Sequence, residues 1–225
     1  MSLVVLGAGV SPFVRKVRVV LAEKGVPYRH EPVNPFAPPA DWRTLSPLGK
    51  IPVLRDGDRV VNDSSVICQF LERRFPEPAL YPADDHDFAR ALWLEEYMDG
   101  GVVPLAAPRT FQALVLQPLL TRQEPDEATE AAARQLWEER MPPCFDYLEA
   151  ALGARDFLLG DRPSIADIAV ASPFVNTHHA GFLPERRRWP RLRAFLDRMW
   201  SRPSFAALIE EEMPIFGRRA ARIAD

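Results

Sequence analysis

Residues 3–6 read Leu-Val-Val-Leu, and residues 11–17 read Ser-Pro-Phe-Val-Arg-Lys-Val. The first stretch is a short, continuous apolar run, which is typical of a strand buried on both faces of a parallel sheet. In the second stretch Ser11 is followed by a proline, the usual pairing of a helix cap with the first helical residue. The chain therefore begins with a buried strand and an amphipathic helix, and this order predicts an α/β domain.

Three further segments complete this domain. A candidate strand at 28–33 follows the helix, so that strand, helix and strand form a right-handed βαβ unit. An Asp-Gly turn at 56–57 separates apolar runs at 52–54 and 59–61, which predicts a β-hairpin. The next helix is expected to begin at 63–64, where Asp or Ser can cap it. A βαβ unit followed by a ββα unit is the order of a thioredoxin-like domain.

The rest of the chain carries helical patterns. Residues 76–82 contain three prolines, which neither continue a helix nor donate to a sheet, and they predict a linker. We assign residues 1–76 to the thioredoxin-like domain, 77–83 to the linker and 84–225 to an all-α helical-bundle domain. Helices are expected at 88–98, 127–152, 164–178, 190–200 and 204–212.

Composition excludes several classes of function. The net charge is −3 over 225 residues, so no overall positive field attracts nucleic acid or an anionic membrane. No run approaches the roughly 20 apolar residues of a membrane span, and we expect a cytoplasmic protein. Cys68 and Cys144 lie in helical segments and are expected to be inert thiols. His178 and His179 diverge on a helix, so no metal site is expected.

Two short motifs follow the first helix. Residues 49–54 read Gly-Lys-Ile-Pro-Val-Leu, and residues 63–64 read Asp-Ser. Together with Ser-Pro at 11–12 and the Ser-Ile-Ala-Asp helix start at 164–167, they form an order of motifs that resembles the soluble glutathione transferases over nearly the whole chain. The resemblance implies a thioredoxin-like domain that binds glutathione, a helical domain that contributes an electrophile site, a homodimer and a role in detoxification.

The resemblance also implies which residues bind glutathione. Ile51, before a cis Pro52, would bind the cysteinyl backbone of the tripeptide; without the resemblance, a trans proline at the start of a strand is the more common case. Lys50 would bind the glycyl carboxylate, or it is a solvated loop lysine. Phe13, in the first turn of the first helix, is assigned to the same binding surface.

The Asp63–Ser64 pair is assigned to the other end of the tripeptide. By resemblance, Ser64 and free N–H groups at the helix start hold the γ-glutamyl carboxylate, and Asp63 faces the ammonium group. The alternative is that the pair only caps the helix, as such residues do in any protein.

Ser11 is the catalytic residue that the resemblance implies. A free thiol has a pKa of about 8.5, so little of it is ionised at neutral pH, whereas a hydroxyl and a helix N-terminus both favour the thiolate. The alternative is that Ser11 only caps the helix. Family members that exchange disulfides carry Cys-Pro where this chain has Ser11-Pro12. A hydroxyl cannot form a mixed disulfide with glutathione, so disulfide exchange is not expected. Arg15 and Lys16 either add positive potential or are exposed helix charges, and we expect the latter for Lys16.

The electrophile site is expected between the domains. Trp93, Tyr97 and Phe111 are its candidates, although aromatic residues at such spacing also belong to ordinary cores. The implied function is a glutathione transferase that activates the glutathione thiolate for attack on a small hydrophobic electrophile, without a metal. Two alternatives stay open: a non-catalytic binding or regulatory module of the same fold, and a glutathione-dependent isomerase or dehalogenase.

Overall fold

The computed structural model describes residues 3–220. Residues 1–2 of the predicted first domain and residues 221–225 of the predicted helical domain lie outside this described range. Four strands form one sheet in the order β2-β1-β3-β4. β1 is parallel to β2 and antiparallel to β3, and β3 is antiparallel to β4. The strands are β1 Leu3–Leu6, β2 Tyr28–Glu31, β3 Val53–Asp56 and β4 Arg59–Asn62.

The first domain has the predicted thioredoxin-like order, βαβ followed by ββα. Its helices are α1 Pro12–Glu23, α2 Trp42–Leu45 and α3 Ser64–Arg74. The short helix α2 was not predicted, because it lies in a proline-rich stretch. β2 ends at Glu31 rather than at residue 33, since Pro32 has no N–H to donate to the sheet.

The second domain is helical, as predicted. Its α-helices are α4 Asp85–Glu96, α5 Val103–Ala106, α6 Gln117–Thr121, α7 Glu127–Gln135, α8 Pro142–Leu152, α9 Ile165–His179, α10 Pro190–Trp200 and α11 Pro203–Phe216. Wider π-helical turns occupy Tyr97–Val102, Pro108–Leu116 and Leu136–Arg140. α4 begins at Asp85 and α3 ends at Arg74; the domain limits at 77 and 83 stay a prediction.

Prolines explain where the helix predictions were wrong. The expected helix at 127–152 is interrupted before Pro142 and Pro143, because proline lacks an N–H and clashes with the preceding turn. Conversely, no helix was expected at 103–121, where prolines are frequent. The structure accommodates them by placing Pro104, Pro108 and Pro118 at the first positions of successive helical segments.

Helix α1 is enclosed by both domains. It packs against α3 in the first domain and against α9 and α11 in the second. Residues 14–21 are all buried, and this stretch includes Arg15 at 0% and Lys16 at 1% exposure. The expectation that Lys16 is an exposed helix charge was therefore wrong, because a helix covered on every side has no solvated face. The two cations are instead paired, as described below.

The Ser-Ile-Ala-Asp motif at 164–167 begins α9. The Asp167 carboxylate accepts hydrogen bonds from the N–H and the hydroxyl of Ser164, at 2.8 and 2.7 Å, and from the Leu158 N–H at 2.8 Å. The motif is structural, as predicted. Among residues 3–220, none of the helices is long and apolar enough to cross a membrane.

Gly7 allows β1, α1 and the residue before Pro52 to approach one another closely. Its φ angle is +150°, and a Cβ atom added there would lie 2.6 Å from Val14 Cγ2 and 3.1 Å from Ile51 Cβ. We expect Gly7→Ala to lower the free energy of unfolding by about 1–3 kcal/mol, because overpacking displaces Val14 or Ile51. Urea denaturation measures the difference.

Gly101→Ala is the matched control for Gly7→Ala. A Cβ at Gly101 meets nothing within 4 Å, so its urea midpoint should stay close to that of the wild type. Equal midpoints for the two variants would contradict the close approach at Gly7.

Candidate functional site

The three segments that are predicted to bind glutathione meet at one end of the sheet. The strand register places Leu6 of β1 beside Val53 of β3, and Val53 beside Asn62 of β4. Each of these strand ends adjoins one motif: the loop 7–11, the pair Ile51–Pro52 and the pair Asp63–Ser64. The sheet therefore gathers segments that are far apart in the sequence.

The Ile51–Pro52 peptide bond is cis, as the resemblance implied. Ile51 is half-buried beside Gly7, so this loop lies directly against the loop that leads to α1. Lys50, the preceding residue, has an exposed side chain, and its carbonyl oxygen accepts a hydrogen bond of 2.7 Å from Ser46 Oγ.

Ser11 is the N-cap of α1, but its side chain makes no capping hydrogen bond. Its N–H donates to the Ala8 carbonyl at 3.0 Å. Ser11 and Phe13 are both half-buried at the start of the helix. Because the helix N-terminus carries a partial positive charge, an anion beside the Ser11 hydroxyl would be stabilised. The alternative was that the hydroxyl only caps the helix, and the missing capping bond does not support that alternative.

Asp63 caps α3. Its Oδ1 accepts hydrogen bonds from the N–H groups of Ser65, at 2.9 Å, and Val66, at 3.3 Å. One carboxylate oxygen is therefore engaged by the helix, and the predicted contact of Asp63 with an ammonium group stays a prediction. Asp63 has a φ of +72°, a strained conformation that costs about 1–3 kcal/mol and is often retained at functional sites. Ser64, next to it, is buried.

A buried ion cluster lies beside the first turn of α3. The Lys16 ammonium donates to Glu95 Oε1 at 3.1 Å, to Asp99 Oδ2 at 2.5 Å and to Ser65 Oγ at 3.0 Å. The Tyr81 hydroxyl donates to the second Glu95 oxygen at 3.3 Å. Glu95 and Asp99 belong to the second domain, so this cluster fastens the helix starts of α1 and α3 to it.

The charges of this cluster are fixed by their mutual contacts. Burial lowers the pKa of Lys16, but Asp99 and Glu95 outweigh that effect and raise this pKa above its ordinary value. Burial raises the pKa of Glu95 and Asp99, and Lys16 offsets part of this increase. Cys68 is fully buried nearby, and burial raises the pKa of its thiol. Lys16 is therefore charged, and Cys68 is protonated at neutral pH.

Comparison with known proteins identifies the family. Residues 10–74 match the family model of the glutathione S-transferase N-terminal domain, and residues 115–212 match that of the C-terminal domain. Glutathione S-transferase 3 of Zea mays is 30% identical over 208 residues, which cover 88% of this chain and 89% of that protein. The chain belongs to the glutathione S-transferase family.

Two further relatives of this family bear on the site. Maleylacetoacetate isomerase of Pseudomonas aeruginosa is 29% identical over 196 residues, covering 84% of this chain and 87% of that protein. The crystal structure of a glutathione S-transferase from Methylobacterium radiotolerans in complex with glutathione sulfonate is similar with a TM-score of 0.73 and 29% identity. The aligned region covers 93% of this chain and 95% of that protein.

The candidate electrophile residues separate into two groups in this member of the glutathione S-transferase family. Trp93 and Tyr97 form a ring cluster with Tyr147, with ring centroids 5.9 and 4.7 Å apart, and the Trp93 N–H donates to the Tyr147 hydroxyl at 2.7 Å. Phe111 instead belongs to an apolar cluster with Val10, the neighbour of Ser11. Phe111 is thus brought to the Ser11 loop, whereas the described ring contacts of Trp93 and Tyr97 lie within the second domain.

A cavity of about 300 Å³ adjoins the Phe111 cluster. Its lining includes Val115 and Phe216, which also belong to that cluster, and the Phe216 ring lies 5.9 Å from that of Phe111. The cavity itself is lined by residues 114–124 and 215–219, so it reaches the Ser11 loop only through the apolar cluster that Val115 and Phe216 share with Val10. Across residues 3–220, no group of three or more His, Cys, Asp or Glu is arranged to hold a metal ion.

Sequence reasoning missed the polar residues that hold the site together. Asn176 lies in α9, where residues 165–177 are all buried and most are apolar. Its position in that mostly apolar run was the available signal, since a buried polar side chain requires a partner. Glu95 is likewise buried, but α4 carries several other charged residues and gave no such signal.

We expect Lys16→Met to destabilise the protein by about 3–5 kcal/mol, because it leaves the buried Glu95 carboxylate and the partly buried Asp99 carboxylate without their cation. Urea denaturation at several pH values measures this effect. Without Lys16, the folded-state pKa values of Glu95 and Asp99 rise further above their unfolded values. The loss should therefore be largest at neutral pH and should shrink as the pH falls through these raised pKa values.

Lys50→Met is the matched control, since the Lys50 side chain is exposed, and its stability should be near that of the wild type. A deficit in Lys16→Met that does not depend on pH would contradict the paired cluster.

Proposed function

We propose that this protein is a glutathione-dependent transferase in which Ser11 stabilises the thiolate of bound glutathione. The observation that carries the proposal is the Ser11 hydroxyl, which makes no capping bond at the N-terminus of α1. The loop that contains Ser11 leaves the same end of the sheet as Ile51–Pro52 and Asp63–Ser64. Family membership and the relative bound to glutathione sulfonate support glutathione as the ligand.

In the proposed complex the tripeptide lies across the end of the sheet. The Ile51 backbone binds its cysteinyl residue as a neighbouring strand would. Ser64 binds the γ-glutamyl carboxylate, Asp63 its ammonium group, and Lys50 the glycyl carboxylate. Phe13 completes the binding surface beside Ser11. The sulfur then lies at the Ser11 hydroxyl and the positive end of α1, where a thiolate is stabilised.

The proposed reaction is nucleophilic attack by the glutathione thiolate. The thiol proton leaves to solvent, the sulfur forms a bond to an electrophilic carbon, and the leaving group departs with its bonding electrons. Ser11 cannot form a mixed disulfide with glutathione, so disulfide exchange through this residue is not part of the proposal.

A second candidate function is glutathione-dependent isomerisation. The similarity to the Pseudomonas maleylacetoacetate isomerase over most of both chains favours it. Here the thiolate would add to a conjugated double bond, allow rotation and leave again, so that glutathione is regenerated. Parallel assays with an aryl halide and with a cis-configured maleyl diketo acid distinguish the two reactions, because only the first consumes glutathione.

Ser11→Ala tests the thiolate contact. We expect the pKa of the bound glutathione thiol to rise toward its free value of about 8.5, and kcat/KM to fall by about 100-fold, as when one donor to a developing anion is removed. The pKa is measured from the ultraviolet absorbance of the thiolate in the complex. Ser11→Thr keeps the hydroxyl and should retain most of the activity.

Ser201→Ala removes a hydroxyl at the exposed end of α10 and is the matched control, which should keep the thiol pKa and kcat/KM of the wild type.

Glutathione binding by calorimetry without turnover of any electrophile would instead support the non-catalytic module. Absence of binding would overturn both proposals.

We propose that the electrophile binds beside Phe111 and Phe216, whose rings lie 5.9 Å apart in the apolar cluster that includes Val10, and that it extends into the cavity that Phe216 lines. Phe216→Ala should raise KM for a hydrophobic electrophile by about tenfold, since it removes a large apolar contact, while the Kd for glutathione stays unchanged. Leu120→Ala, at an exposed position of α6, is the control. An unchanged KM in Phe216→Ala would exclude this cavity and return Trp93 and Tyr97 as the candidates.

The homodimer and the cytoplasmic location stay predictions.

A further inference from the structure

The peptide unit between Val10 and Ser11 is held on both sides. The Val10 carbonyl accepts hydrogen bonds from Asn176 Nδ2, at 2.9 Å, and from Arg15 Nη2, at 3.2 Å. On the other side, the Ser11 N–H donates to the Ala8 carbonyl at 3.0 Å. Because a peptide unit is planar, these bonds fix its orientation, and together with the Ser11 φ angle of −64° this sets the direction in which the Ser11 Cβ leaves the backbone.

Asn176 is itself held in one orientation. Its Oδ1 accepts a hydrogen bond of 2.8 Å from Arg15 Nη1, and its amide nitrogen faces the Val10 carbonyl. A guanidinium group only donates and a carbonyl oxygen only accepts, so a flipped amide would lose both contacts. Asn176 is 6% exposed, and water cannot readily replace its partners.

Arg15 completes the arrangement. Beyond its bonds to Val10 and Asn176, it donates to the Ser172 carbonyl at 2.7 Å and to both Glu212 oxygens at 3.0 and 2.5 Å. Five hydrogen bonds therefore match its five N–H groups. Glu212 also contacts His179 Nε2 at 2.9 Å. Burial raises the pKa of Glu212, but Arg15 and His179 outweigh it and keep the carboxylate ionised.

We propose that Asn176, in the second domain, is a positioning residue that acts through the Val10 carbonyl to aim the Ser11 hydroxyl at the glutathione sulfur. This inference rests on the proposed role of Ser11. It gives the helical domain a part in thiol activation as well as in binding the electrophile. The Ser11 hydroxyl makes no capping bond, so the backbone, which sets the position of the Ser11 Cβ, decides where the hydroxyl can reach. A displacement of about 1 Å at a reacting group can cost about 100-fold in rate.

Asn176→Asp tests this role. The substitution keeps the size of the side chain and an oxygen for Arg15, but it replaces the amide donor with an oxygen that repels the Val10 carbonyl. We expect the pKa of the bound glutathione thiol to rise and kcat to fall by about 10- to 100-fold, while KM for glutathione changes by less than about threefold. The loss in kcat should shrink at alkaline pH, where the thiol ionises without help.

Thr177→Val is the matched control. Thr177 is the next residue of α9, equally buried, and its hydroxyl donates only within the helix, to the Phe174 carbonyl at 3.0 Å. This variant should keep the thiol pKa and kcat of the wild type. A defect in it equal to that of Asn176→Asp would assign the effect to general loosening of α9 and overturn the proposal.

A double-mutant cycle shows whether Asn176 acts through Ser11. If it does, Ser11→Ala combined with Asn176→Asp should shift the thiol pKa no further than Ser11→Ala alone. Additive shifts would overturn the positioning role. If Ser11→Ala moves the pKa and Asn176→Asp does not, the positioning role fails while the proposed function stands. If Ser11→Ala itself has no effect, the proposed function fails first.

Thermal unfolding establishes whether Asn176→Asp is folded, and Asn176→Leu is the second variant if it is not. Hydrogen exchange in the wild type provides a measurement without substitution. We expect the Ser11 amide to exchange as slowly as the core amides of α9, since both open together. A Ser11 amide that exchanges far faster than α9 would contradict the coupling and overturn the proposal.

Discussion

Helix α1 is buried between the two domains, and its cations must therefore be paired. A buried charge without a partner costs several kcal/mol, whereas a buried pair with good geometry is tolerated. Each of four cations at or beside α1 has a carboxylate partner: Arg15 with Glu212, Lys16 with Glu95 and Asp99, Arg18 with Glu211, and Lys24 with Glu72. All of these partners except Glu72 lie in the helical domain, so the first domain has its complementary charges in the second.

This pairing explains how a site on one domain depends on the other. The thioredoxin-like domain supplies the sheet end at which the three predicted glutathione-binding segments meet. The helical domain holds two helix starts there. Its Glu95 and Asp99 bind Lys16 of α1, which contacts Ser65 at the start of α3. Its Asn176 binds Arg15 and the Val10 carbonyl in the loop before α1. The bonds come from side chains buried on both sides, so the site is organised before any ligand binds. A site that is preorganised in this way needs no rearrangement of its polar groups when charge develops during a reaction.

The sequence was sufficient for the parts of the molecule that local patterns encode. The apolar run at 3–6, the Asp-Gly turn at 56–57 and the Ser-Pro pair at 11–12 predicted the sheet and α1, because continuous apolar runs, turn chemistry and helix-start residues are properties of neighbouring residues. The family resemblance added the cis peptide at Ile51. Prolines were misleading in both directions, since the same residue that ends one helix begins the next.

The contacts that the sequence did not disclose join residues far apart in the chain. Arg15 and Asn176 are 161 residues apart, and Lys16 and Asp99 are 83 apart. No periodicity marks such pairs, and a lysine four residues into a helix is usually solvated. Only the packing of α1 against a second domain, which is a property of the tertiary fold, turned Lys16 into a buried ion and placed Asn176 behind the loop of Ser11.

The burial of Cys68 has a consequence for the proposed reaction, whose second substrate is an electrophilic carbon compound. Such compounds alkylate exposed thiolates without selection, and these include thiolates of the protein that binds them. The Cys68 side chain is inaccessible, and its sulfur is kept protonated by the apolar surroundings and the neighbouring carboxylates. In the proposed reaction the tripeptide would thus present its sulfur in the nucleophilic state while Cys68 escapes self-inactivation.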